Sequence, residues 1–155
     1  MIKKIIAVTL LLAFSVVPVR AEDRCEATAT RIATKVGLKT GERNKVAIPL
    51  HAEAYDGYSV FLICTDGPRG MSLQYGPANL GDPPPQDWFD FVGRTAAILT
   101  GGDANTIAME ARNCTEKARL HDGYFKSTDS VFILCDTDSS GGPVQMLLTE
   151  RLTER

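Results

Sequence analysis

Ser59-Val60-Phe61-Leu62-Ile63-Cys64 returns later in the chain as Ser130-Val131-Phe132-Ile133-Leu134-Cys135. Four of the six positions are identical without a gap, and the other two exchange Leu with Ile. Each copy is a short, continuous apolar run bounded by Gly, Asp and Ser, rich in β-branched and aromatic side chains. Such a run predicts a mid-sheet strand buried on both faces. Phe61 and Phe132 are then core residues, and truncating either to Ala is expected to cost about 3–5 kcal/mol. The recurrence reads as an internal duplication.

Upstream of the first copy, Cys25, Ala29, Ile32 and Val36 fall at helical spacing, predicting a helix over Glu22 to Val36 that ends at Gly37. Ile107, Ala111, Cys114 and Ala118 repeat that stripe before the second copy, with Asp103 placed as the N-cap. Around the first run, Lys45 to His51 reads as an outer strand because Pro49 has no N–H to give a ladder, after a polar turn at Thr40 to Asn44. Met71 to Tyr75 alternates as a half-buried strand. Around the second run, Gly123 to Lys126 and Val144 to Leu148 supply the matching strands, and Glu150 to Arg155 is a charged tail. The predicted class is α+β, with two α-β-β-β repeats forming antiparallel sheet under helices. The repeats occupy 22–80 and 101–155. A Pro-rich loop with Pro83-Pro84-Pro85 and one extra helix, with Trp88, Phe91, Val92, Thr95 and Leu99 on its apolar face, joins them over 81–100.

Residues 1–21 carry Lys3 and Lys4, an apolar run from Ile5 to Val17, and small residues at Val19 and Ala21. That is the pattern of a cleaved secretory signal, too short in its apolar part for a membrane span. The remaining 134 residues, 22–155, are expected to form one domain in the periplasm or outside the cell. Removing Lys3, Lys4 and Arg20 leaves 14 basic against 19 acidic side chains, a net charge of about -5. Neither nucleic acid nor an anionic membrane attracts such a surface.

An even number of cysteines behind an export signal predicts disulfides. Cys25, Cys64, Cys114 and Cys135 allow three pairings. The duplication favours Cys25 with Cys64 and Cys114 with Cys135, each joining a helix to the end of its repeat's middle strand.

No stretch carries a catalytic, cofactor or metal motif. Asp136-Thr137-Asp138-Ser139-Ser140-Gly141 begins like a calcium loop, but its twelfth position is Leu147 and its flanks read as strands, so a hairpin turn is expected. Two function classes follow. In the first, the chain is a non-catalytic envelope protein that binds another protein as an inhibitor or accessory factor, with Asp66, Asn79, Leu80 and Asp138 on exposed loops as its surface. The second is a small enzyme or ligand carrier with a cleft near His51, His121 and Asp56. Histidines gathered in one concavity favour the second class, whereas scattered histidines and an exposed apolar patch favour the first.

Overall fold

The computed structural model describes residues 21–53, 55–65, 69–76, 82–121, 123–137 and 143–151. Helix α1 (Ala21–Val36) is followed by four strands, β1 (Lys39–Thr40), β2 (Ala47–His51), β3 (Tyr58–Ile63) and β4 (Gly70–Tyr75). Helices α2 (Gln86–Thr100) and α3 (Ala104–His121) lead to β5 (Tyr124–Ser127), β6 (Val131–Thr137) and β7 (Val144–Glu150). The strands form one antiparallel sheet in the order β1-β2-β3-β4-β7-β6-β5. The α+β class is as predicted, with seven described strands in place of six.

The extra strand corrects the reading of β2 as outermost. β1 lies beyond it, where the sequence was read as a turn from Thr40. Its brevity follows from Pro49, whose carbonyl accepts the Gly41 N–H at 2.9 Å on that side but which has no N–H to return. The ladder stops there.

Helix ends follow the sequence signals. Gly37 takes a positive φ of 76°, and the Leu38 N–H closes back onto the Ala33 carbonyl at 2.8 Å. Asp103 caps α3 by accepting the Thr106 N–H at 2.8 Å, which holds its carboxyl below the usual carboxylate range. All three helices lie on one face of the sheet. The predicted stripes, Ile107, Ala111, Cys114 and Ala118 on α3 and Trp88, Phe91, Val92, Thr95 and Leu99 on α2, are buried. They meet Val60, Leu62, Met71, Leu73, Val131, Ile133, Met146 and Leu148 of the sheet. Buried threonines in the helices satisfy themselves locally: Thr28, Thr95 and Thr115 each donate to the carbonyl four residues back.

One end of this core is aromatic. The Trp88 and Phe91 rings pack with Tyr58 at centroid distances of 4.9 and 5.3 Å, and Tyr55 lies 4.8 Å from Phe91. Burial and the nearby Asp87 carboxylate raise the Tyr58 phenol above its ordinary pKa. α2 and α3 lie close together at Gly93, where an added Cβ would collide with the Ala104 carbonyl oxygen and crowd Ala108. Gly93→Ala is therefore expected to destabilise by about 1–3 kcal/mol despite its better helix propensity. Chemical denaturation checks this; a stabilised variant would mean that the two helices separate freely.

The predicted disulfides are both present. Cys25 joins α1 to Cys64 just past β3, and Cys114 joins α3 to Cys135 of β6, with Cα separations of 5.7 and 5.9 Å. The strand register also has an internal relation. Exchanging β2 with β5, β3 with β6 and β4 with β7 carries Phe61, opposite Pro49 and Ser72, onto Phe132, opposite Ser127 and Thr149. The shared β4–β7 ladder obeys the same exchange, pairing Ser72 with Leu147 and Gly70 with Thr149.

Candidate binding surface

Among the described residues the other face of the sheet is open, and the alternation of each strand decides what stands on it. Val60 and Leu62 point into the core, so Phe61 points away and is 40% exposed. In β6, Val131, Ile133 and Cys135 face inward, leaving Leu134 at 46% exposure beside a half-buried Phe132. This overturns the reading of the two runs as buried on both faces. Continuous apolar character does not separate a side chain facing helices from one facing outward.

The register aligns these side chains into rows. Pro49, Phe61, Ser72, Leu147, Leu134 and Phe125 are successive cross-strand neighbours from β2 to β5. Only Ser72 interrupts an apolar stripe that spans six strands. Ile63 and Phe132 widen it on one side, and the Phe132 ring stacks on Phe125 at 5.7 Å. Arg151 lies 5.6 Å over Phe132 and donates to the Thr128 carbonyl at 3.1 Å, fixing a cation at that margin. On the other side runs a polar row of His51, Ser59, Gln74, Gln145 and Asp136. Sequence reasoning passed over this surface. Its signal was present in Ser72, Gln74 and Gln145, because strands paired in register must share their faces.

The predicted site residues are dispersed. His51 and Asp56 border one hollow of about 590 Å³ at the β2–β3 hairpin, together with Glu53, Tyr55 and, from the stripe on the open face, Pro49 and Phe61. His121 does not line it. It is exposed at the end of α3, which packs on β5 and β6, whereas His51 is on β2 near the opposite edge. Asp66, Asn79, Leu80 and Asp138 lie outside the described residues, as does most of the calcium-like loop. The strands leading toward Asn79 and toward Asp138 end together, since Tyr75 and Thr137 both pair with Val144; Asp66 follows the opposite end of β3.

The Pro-rich connector is tied down on the helix side. Pro84 is buried, Arg119 donates to the Asp82 carbonyl at 3.3 Å, and Arg112 lies 5.3 Å over the Phe89 ring. Among the described residues, no group of three His, Cys, Asp or Glu side chains is placed to hold a metal ion, and no helix is long and apolar enough to cross a membrane. No protein-family model, curated protein or solved structure matches the chain.

Proposed function

We propose that this chain is an exported, disulfide-braced protein of the bacterial envelope that binds another envelope protein, as an inhibitor or accessory factor, through the open face of its sheet. The observation that carries this reading is the stripe from Pro49 and Phe61 through Leu147 and Leu134 to Phe125. A broad, ordered band of exposed aromatic and aliphatic side chains beside a polar row is the composition of a protein-binding surface. The band is spread across six strands, a footprint suited to a macromolecule. The acidic balance of residues 22–155 argues against an anionic lipid surface as its occupant.

Export is supported by the basic and apolar N-terminal pattern together with two disulfides, bonds kept in oxidising compartments such as the periplasm. The register relation between the two halves supports descent by duplication. A site using both histidines is disfavoured by their placement, His51 on β2 and His121 at the end of α3, which packs on β5 and β6 toward the other edge. The hollow holding His51 and Asp56 keeps an enzyme or ligand carrier as the second reading.

Capture from a periplasmic extract on immobilised residues 22–155 tests the choice. Phe61→Ser combined with Leu134→Ser is expected to lower recovery of the bound protein by about 10-fold or more, the effect of losing two interface anchors. Asp56→Ala combined with His121→Ala, neither of which belongs to the rows of the open face, is expected to leave recovery unchanged. The reverse pattern, with both variants folded, would replace this reading with the second.

A further inference from the structure

The two edges of the sheet are unlike. At the β1 edge the ladder is two residues long, is stopped by Pro49, and is flanked by the Lys39–Glu53 ion pair at 2.8 Å. The β5 edge has no proline or bulge, and its direction of hydrogen bonding can be read from the neighbouring ladders. Arg151 N–H donates to the Ser130 carbonyl at 3.0 Å, so alternate residues Phe132 and Leu134 bond toward β7, leaving Val131, Ile133 and Cys135 for β5. The Thr128 N–H donates to the Val131 carbonyl at 2.9 Å, in phase with that assignment. Tyr124 and Lys126 therefore pair with β6 through their backbones, and the backbone groups of Phe125 and Ser127 point off the edge. Beside them Phe125 is 55% exposed.

We infer that β5 pairs antiparallel with β5 of a second copy, about a two-fold axis at Phe125, to make one continuous sheet of two chains. A donor–acceptor pattern of this kind accepts an extended backbone, and two features select a copy of the same strand. A two-fold at Phe125 continues the apolar row without a break, from Leu134 and Phe125 into Phe125 and Leu134 of the second copy. It also places Lys126 opposite Tyr124 of the second copy. Of the other axes, one at Lys126 would set two ammonium groups directly opposite each other, and one at Ser127 would set Phe125 opposite Asp129 of the second copy and break the apolar row. In the Phe125 arrangement the two Phe125 residues exchange both backbone hydrogen bonds, and Lys126 keeps its ion pair with Glu110 at 3.3 Å. This pairing is independent of the proposed partner and leaves the open face free, extending its stripe across both copies.

Sedimentation of oxidised residues 22–155 over a concentration series up to about 100 µM tests the pairing, a range that detects micromolar association. A dimer is expected. Ser127→Pro removes an N–H that only the second copy would use, and Phe125→Glu sets two carboxylates opposite each other at an exposed site. Each is expected to raise the dimer dissociation constant at least about 10-fold, with an unchanged circular dichroism spectrum. If Ser127→Pro does not fold, Phe125→Glu alone decides. Overturning results are a monomer at every concentration, or a dimer that folded Ser127→Pro or Phe125→Glu leaves intact.

Discussion

Replacing Cys25 and Cys64 with alanine is expected to lower the unfolding free energy by about 4 kcal/mol, and replacing Cys114 and Cys135 by about 3 kcal/mol. The difference comes from the closed loops, which span sequence separations of 39 and 21 residues; the longer one removes more freedom from the unfolded chain. Cys114 and Cys135 are fully buried, so alanine avoids leaving unpaired hydroxyls there. The two pairs tie different helices to different strands, α1 to β3 and α3 to β6, so their losses should nearly add. Together they approach the whole stability of an ordinary domain, and the reduced chain is expected to be largely unfolded at 37 °C. Urea titrations of both double variants check this. Losses under about 1 kcal/mol in each would show that the helices hold to the sheet without the bonds.

Phe91→Ala is expected to cost about 3–5 kcal/mol, while Phe61→Ala costs about 1 kcal/mol or less. Phe91 is fully buried, in ring contact with Tyr55, Tyr58 and Trp88, and its removal leaves a cavity that a helix pinned on both flanks cannot close. Phe61 stands between its cross-strand neighbours Pro49 and Ser72 and is 40% exposed, so truncation uncovers little that was dry. Thermal and urea unfolding of the two variants supply the comparison. Equal losses would mean that the open face is covered within the molecule.

The sequence carried the class, the three helices and the cysteine pairing for a common physical reason. Stripes such as Ile107, Ala111, Cys114 and Ala118 encode one buried side, and a cysteine on that side faces the sheet, where a strand cysteine is in reach. The two matched runs were legible as strands, but their exposure was not. Val60-Phe61-Leu62-Ile63 is apolar at every position, so period two, which separates the faces, is silent there. It was audible in the paired strand, where Met71-Ser72-Leu73-Gln74 alternates, and pairing Phe61 with Ser72 transfers that information across the ladder. β1 escaped notice because two residues carry no period. In the sequence a histidine cleft rests on residue type and on a shared setting, a Leu before and an Asp-Gly-Tyr after each histidine, and three-dimensional placement separates His51 from His121. The loop residues Asp66, Asn79, Leu80 and Asp138 stand out in the sequence by expected exposure, a criterion that selects turns and passes over a strand side chain such as Leu134.

Contact between the open sheet face and a protein partner is tested by site-specific photocrosslinking in the periplasm, with a photoreactive phenylalanine placed singly at Phe61, Leu134, Asp56 and His121. One shared adduct is expected from the Phe61 and Leu134 positions, heavier than this chain by the mass of a different envelope protein and absent from the Asp56 and His121 positions. An adduct formed from Asp56 or His121 while Phe61 and Leu134 give none would contradict the proposed binding face.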